Sequence, residues 1–151
     1  MNGIEIRRSK DDDADWAADL MAHADPWVKL GTTHAQLPKA FGLPDYQVYI
    51  AEMGMIRAGV VVIHPRGMAS SPYVKLIAVD ASYQGQGVGE ALMEFTESLF
   101  KGEARHLFLC VSSFNLRAQK FYRRLGYETV GELRDYVIEG ESELILHKKI
   151  S

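Results

Sequence analysis

Residues 73–89 read Tyr73-Val74-Lys75-Leu76-Ile77-Ala78-Val79-Asp80-Ala81-Ser82-Tyr83-Gln84-Gly85-Gln86-Gly87-Val88-Gly89, and this stretch decides the fold. Val74, Leu76, Ile77, Ala78 and Val79 form a near-continuous apolar run, the pattern of a strand covered on both faces. Asp80-Ala81-Ser82-Tyr83 ends it with turn chemistry. Beyond the glycines, Val88, Ala91, Leu92, Phe95 and Leu99 recur at helical spacing, with Glu90, Glu94 and Glu97 between them. Gly102 stands where a left-handed helix stop is expected. Gly85, Gly87 and Gly89 let the backbone curl so that successive N–H groups point into one concavity. That concavity opens at a helix N-terminus, where the macrodipole also favours an anion. The stretch reads as a phosphate cradle, against the plainer reading of a glycine-rich connection without a ligand.

The spacing selects among phosphate ligands. A dinucleotide fingerprint G-x-G-x-x-G counted from Gly85 would need its third glycine at Glu90, so the match fails. The ATP-type loop needs a Gly-Lys-Ser/Thr ending, and no lysine lies between Lys75 and Lys101. What remains is Gln84-x-x-Gly87-x-Gly89 after a strand ending in Val79-Asp80. A second segment accompanies it. Leu107-Phe108-Leu109-Cys110-Val111 is another apolar run, and Ser112-Ser113 offers a helix cap. Phe114, Ala118, Phe121, Tyr122 and Leu125 follow at helical spacing, closed by Gly126.

The first pattern resembles the pyrophosphate loop of the GNAT superfamily of N-acetyltransferases, which use acetyl-coenzyme A. The series Asn115, Ala118, Phe121, Tyr122, Gly126, Tyr127 is similar to that family's second signature, in the family's order and at its usual separation. The resemblance implies an α/β (α+β) fold. Its mixed, mostly antiparallel central sheet of about seven strands is flanked by helices and splayed between the fourth and fifth strands. It also implies acetyl-CoA as co-substrate. Backbone groups of Ile77, Ala78 and Val79 would hydrogen-bond the pantetheine like an added strand. The loop Gln84, Gly85, Gln86, Gly87, Val88 and Gly89 would clamp the pyrophosphate. Gln84 stands where other members often carry arginine, a departure that removes one positive charge from the loop.

Transfer of an acetyl group from a thioester to a primary amine needs two proton movements. An amine with a pKa near ~10 must lose a proton before it attacks, and the departing sulfur is helped by a donated one. By the resemblance, Tyr122 is the general acid; its alternative is a helix tyrosine whose ring fills the core. Asn115 matches a position that contacts pantetheine or an ordered water, or else it stabilises the first turn of its helix. Many members place a glutamate base on a central strand, but the strand before the loop carries Lys75 and no carboxylate. Glu52 and His64 are the candidates for the base, against a solvated glutamate and a turn histidine, with a water chain as a further route. The acceptor would lie between the first helices and the loop joining the last two strands. Trp27, His34 and Phe41 stand on one side of it, and Asp135, Tyr136 and Glu139 on the other. Aromatic walls beside carboxylates suit a cationic amine. Otherwise Trp27 and Phe41 are core, and Asp135, Glu139, Glu141 and Glu143 form a solvated acidic face. The basic residues Arg117, Lys120 and Arg124 read as a solvent-facing helix side that could approach the coenzyme's nucleotide end.

The rest of the chain agrees with one compact domain over residues 1–151. Its 151 residues suffice for a real core, and its 47% hydrophobic and 25% charged fractions are those of ordinary soluble proteins. A formal charge of −3 argues against nucleic acid as a partner, since phosphate-backbone affinity needs a dense basic face. The single cysteine, Cys110, excludes an intrachain disulfide and reads as buried filler in its strand. No apolar run is long enough to span a membrane, no signal-peptide core is present, and no His or Cys cluster has metal-ligand spacing. A cytoplasmic enzyme without a metal is expected.

Strands are expected at Ile4–Arg7, at Gln47–Glu52 and Gly59–His64 around a turn at Gly54, and at Tyr127–Leu133 and Glu143–His147. His64-Pro65-Arg66-Gly67 reads as a strand exit. Asp11-Asp12-Asp13 opens a helix carrying Trp16, Ala17, Leu20 and Met21. The order is strand, one or two helices, three strands, helix, strand, helix, two strands, with the phosphate loop near the sheet's middle. A final strand with an open edge suggests a homodimer, unless Lys148 and Lys149 guard that edge. Three functions compete: acetylation of a small-molecule amine, which is favoured; acetylation of a protein or peptide amine; and non-catalytic acyl-CoA binding or sensing.

Overall fold

The computed structural model describes residues 3–22 and 44–151. Among these, β1 (Ile4–Arg8), α1 (Asp13–Ala22), β2 (Gln47–Met53), β3 (Ile56–Met68) and β4 (Ser71–Val79) come first. They are followed by α2 (Val88–Phe100), β5 (His106–Ser112), α3 (Leu116–Arg124), β6 (Glu128–Arg134) and β7 (Ser142–Lys149). The strands form one seven-stranded sheet in the order β1-β2-β3-β4-β5-β7-β6. Every pairing is antiparallel except β4 with β5, which is parallel. This is the mixed, splayed sheet anticipated from the two signatures.

Alternation along the strands divides the core between two faces. Val48, Ile50, Val60, Val62 and Ala78 pack with Ala17, Ala18 and Met21 of α1. On the other face Val61, Ile63, Val74, Leu107, Leu109, Val111 and Leu146 meet Val88, Leu92 and Met93 of α2 and Tyr122 of α3. Gly59 is the close-approach point. A Cβ there would lie 2.9 Å from Val88 Cγ1, 3.0 Å from Leu92 Cδ1 and 3.1 Å from the Ala78 carbonyl. The bare glycine therefore lets α2 seat its first turn directly on the sheet. Glu97 of α2 then ties the far end, accepting from the Tyr127 hydroxyl at 2.8 Å and from Lys148 Nζ at 3.0 Å.

A bulge in β4 breaks the sheet at its middle. Val62 faces Leu76 and Ile63 faces Val74, which leaves Lys75 as an extra, exposed residue. Such an insertion bends a strand and increases its twist. On its other edge β4 pairs with β5 only at Tyr73–Phe108 and Val74–Leu109. Past the bulge the two strands separate.

Three expectations need correction. The exit at His64–Gly67 lies inside β3, which runs on to Met68 through a register irregularity. The last strand is not an edge: β7 lies between β5 and β6, so the edge argument for a homodimer fails, and β6 is the outer strand. Finally, Ser112 and Ser113 do not cap α3. Asn115 does, its Oδ1 accepting from the Ala118 N–H at 3.1 Å, while the two serine hydroxyls donate to Glu143 and Glu141.

Candidate active site

The opening between β4 and β5 organises the site. Beyond Val74, β4 keeps its antiparallel partner on one side, with Ile77 opposite Val61, Ala78 opposite Val60 and Val79 opposite Gly59. Toward β5 the backbone groups of Leu76–Val79 have no ladder, so an extended amide-bearing ligand can complete the sheet there.

The strand delivers the chain into the glycine loop at the mouth of this opening. Asp80 Oδ1 accepts from the Ser82 N–H at 2.9 Å and starts a short 3-10 turn over Ala81–Tyr83. Gln86 Nε2 donates to the Ser82 carbonyl at 3.3 Å and braces the loop against that turn. The glycines then divide by role. Gly85 and Gly87 have φ of +78° and +85°, and a Cβ at either would meet no atom within 4 Å. They are required by the backbone, and the space above them is open. Gly89 has ordinary backbone, but its Cβ would lie 3.2 Å from Phe121 Cζ. It is required by packing of α2 against α3.

Gly87 is the N-cap of α2 and offers no side-chain cap, so the first N–H groups of this helix face the concavity. The Arg124 guanidinium lies 5.8 Å from the centroid of the Phe121 ring. This supplies a cation near the loop, although Gln84 does not. Arg117, Lys120 and Arg124 are all exposed, so the basic side of α3 faces solvent while Arg124 also stacks on Phe121.

Tyr122 stands on the α2–α3 side of the opening, clustered with Val88 and Val111. Its ring meets Phe121 and Tyr127 edge to face, with centroids 5.2 and 6.0 Å away. Burial pushes its hydroxyl well above the ordinary tyrosine range, so it keeps its proton at any working pH. Tyr122 therefore fills core and carries a protonated hydroxyl. Asn115 is committed through Oδ1 to its cap, which leaves its amide N–H groups for any other contact.

Glu52 of β2 is paired with an arginine. Arg7 Nε donates to it at 3.0 Å, and Arg7 also pairs with Asp13 at the start of α1 at 2.8 Å. A cleft of about 820 Å³ there is lined by Arg7, Trp16, Glu52, Arg57, Asp80 and Tyr83 among others. Among the described residues Glu52 makes no hydrogen bond or ion pair with Tyr122. His64 sits on β3 opposite Tyr73; its Nδ1 accepts from the Arg66 N–H at 3.1 Å and its ring meets Tyr46. Asp135 has φ of +53° and accepts from the Gly140 N–H at 2.7 Å, so it closes the β6–β7 turn. Tyr136 beside it is 68% exposed. Trp27, His34 and Phe41 lie outside the described residues.

Sequence reasoning gave other roles to the groups on the opposite side of the opening. Glu141 and Glu143 are half-buried and hydrogen-bonded by Ser113 and Ser112, not members of a solvated face. Cys110 is not apolar filler: its sulfur hydrogen-bonds the Tyr73 hydroxyl. Burial foremost, then that bond, pushes the Tyr73 hydroxyl well up, and burial raises the Cys110 thiol. The signal that would have found them is period-two alternation, which turns Phe108, Cys110 and Ser112 away from Leu107, Leu109 and Val111.

The model of the GNAT acetyltransferase domain matches residues 44–129, more than half of the chain. The chain belongs to the GNAT acetyltransferase family. Solved structures with the same fold include a protein described as a GNAT-family acetyltransferase from Desulfovibrio desulfuricans. It is 18% identical, with a TM-score of 0.81 over 98% of this chain and 99% of that one. The ribosomal-protein-S18-alanine N-acetyltransferase of Escherichia coli is 23% identical, with a TM-score of 0.80 over 98% and 94%. An aminoglycoside 6'-N-acetyltransferase solved with coenzyme A is 15% identical, with a TM-score of 0.79 over 97% of both chains. No curated protein sequence matches the chain. Within this GNAT domain the unfilled space over Gly85 and Gly87, the uncapped N-terminus of α2 and the unpaired edge of β4 fit a pantetheine diphosphate. Among the described residues no group of three or more His, Cys, Asp or Glu is placed to hold a metal, and no helix is long and apolar enough to cross a membrane.

Proposed function

We propose that this GNAT-family acetyltransferase is an N-acetyltransferase that moves the acetyl group of acetyl-CoA directly to a primary amine within a ternary complex. The acceptor in this reading is a small molecule. The observation that carries it is the opening past Val74–Leu109, which leads to the uncapped Gly87 N-terminus of α2, whose first residue Val88 clusters with Tyr122. The names of two structural relatives, one acting on an aminoglycoside and one on a ribosomal-protein alanine, support an amine as acceptor.

Bound acetyl-CoA supplies an activated acyl carbon. Backbone groups of Ile77, Ala78 and Val79 orient its pantetheine arm, and the N–H groups from Gln86 to Gly89 neutralise its diphosphate. Tyr122 gives its proton to the departing sulfur, and the apolar packing of Val88 and Val111 around its ring keeps water from competing. Asn115 holds the start of α3, and so the placement of Tyr122 two turns later.

The test is a panel of small amines and peptides assayed for coenzyme release, with mass spectrometry of the products. An N-acetylated small amine is the expected product. Acetylation of peptides alone would move the acceptor class to proteins. Acetyl-CoA binding without any turnover would favour an acyl-CoA sensing module.

A further inference from the structure

Polar groups from three strands gather on the sheet face that turns away from α2 and α3, beside the opening. On β5, Leu107, Leu109 and Val111 enter the α2–α3 core, so Phe108, Cys110 and Ser112 take the other face. On β7, Leu144 and Leu146 enter that same core, so Glu143 takes the other face with Ser112, its cross-strand partner. Ser112 Oγ donates to Glu143 Oε2 at 2.5 Å. No described residue donates to Oε1. Tyr73 of β4 lies in register with Phe108, and its hydroxyl donates to the Cys110 sulfur. Ser112 ends β5, three residues past the last rung to β4, or about 10 Å into the separated part of the sheet.

We infer that Glu143 binds the ammonium group of the acceptor and takes its proton, and that the acceptor is a primary alkylammonium whose carbon chain lies along Tyr73 and Phe108. The inference rests on reading the chain as an amine acetyltransferase. Glu143 and Tyr122 flank the opening from opposite sheet faces, which suits a displacement in which the amine arrives on one side and sulfur departs on the other. A carbon–nitrogen bond forms as the carbon–sulfur bond breaks. Of the two protons the nitrogen gives up, Glu143 takes one and passes it to solvent. The other restores the Tyr122 hydroxyl after its proton has gone to sulfur. Ser112 is a positioning residue that fixes the carboxylate through Oε2 and leaves Oε1 for the amine. Glu52 is less suited to this task, because Arg7 already holds it at the start of α1. Glu143 acts electrostatically on Tyr73 of β4 and Cys110 of β5, while Lys75 acts on Cys110 and Tyr136, in the β6–β7 turn, on Tyr73. On the β6 side it faces Leu133.

The experiment compares wild type, Glu143→Gln and Glu143→Asp in the full chain, with 2-phenylethylamine and a panel of linear primary amines. Glutamine keeps the shape and the bond from Ser112 but removes charge and base. Its kcat/KM should fall ~10²-fold or more, with a smaller loss for aspartate. The thermal stabilisation given by acetyl-CoA should match wild type in both variants. Chemical-shift changes at the Cys110 and Ser112 amides on adding 2-phenylethylamine should disappear in Glu143→Gln. Turnover by Glu143→Gln within about twofold of wild type, with normal acetyl-CoA binding, would overturn the inference while leaving the acetyltransferase reading intact. So would a panel in which no amine is acetylated and none shifts those amides. Failure of acetyl-CoA to stabilise wild type would remove the acetyltransferase reading, and this inference with it.

Discussion

Val74 and Leu109 form the last rung between β4 and β5, and the bulged Lys75 follows Val74 directly. The coincidence explains the opening. The extra residue bends β4 away just where pairing with β5 would otherwise continue, and the edge it frees leads straight to the glycine loop.

Gly87→Asp tests that loop. Position 87 has φ of +85°, which a side chain tolerates poorly, and the carboxylate would stand in the anion site at the head of α2. The variant should fold, with a stability loss of about 1 kcal/mol. It should lose the rise in Tm that acetyl-CoA gives wild type, a rise that grows with the logarithm of coenzyme concentration. Equal stabilisation of both proteins would reject the loop as the diphosphate site.

Tyr122→Phe separates chemistry from packing. The ring contacts with Phe121 and Tyr127 remain and only the donor is lost. The turnover number should drop ~10²–10⁴-fold with little change in coenzyme affinity, because the proton moves only in the transition state. Steady-state kinetics with a productive amine measures it, and turnover within about twofold would take Tyr122 out of the mechanism.

Gly59→Ala should act on both stability and binding. Its new methyl would press on Val88, Leu92 and the Ala78 carbonyl, and the last of these is backbone that cannot step aside. Overpacking of this kind costs about 1–3 kcal/mol. Because Val88 begins α2, the displacement should also weaken acetyl-CoA. Urea unfolding and coenzyme titration should therefore change together; an unchanged midpoint contradicts the packing.

Asp13→Asn probes the ion pairs that anchor α1. The Asp13 side chain is fully buried and accepts from Arg7, Arg57 and the Lys10 N–H. Burial opposes its charge most strongly, yet the Arg7 and Lys10 bonds and the two guanidinium charges together hold its carboxyl below the ordinary 3.8. The variant should lose about 2–3 kcal/mol. That is less than the ~3–5 kcal/mol of a fully buried pair, because the arginines remain 26% and 28% exposed.

The pH dependence follows from the sign of that shift. With the folded value depressed, the contribution of Asp13 is complete above the unfolded value near 3.8 and is lost as pH falls through the lower folded value. Wild type and Asp13→Asn should therefore differ most above pH ~4 and converge below it in acid unfolding curves. Parallel curves down to the lowest pH would contradict the pairing.

The sequence by itself determined the parts that depend on neighbours along the chain. The helix from Val88 to Phe100 with its stop at Gly102, the turn at Asp80–Tyr83 and the helix carrying Tyr122 all rest on local periodicity and turn chemistry, and these survive in the fold. Even the family was legible, since its two signatures are short linear patterns. Tertiary structure alone decided the rest. Whether β7 is an edge depends on where β6 lies, which no residue of β7 encodes. The capping role fell to Asn115 because Ser112 and Ser113 were drawn to carboxylates across the β5–β7 pair and the turn beyond it. The split among the glycines came from different causes: open space over Gly85 and Gly87, and the Phe121 ring against Gly89. The pairing of Tyr73 with Cys110 and of Ser112 with Glu143 joins residues far apart in sequence. Such contacts are fixed by strand register, which becomes definite only when the buried faces of the sheet have found their helices.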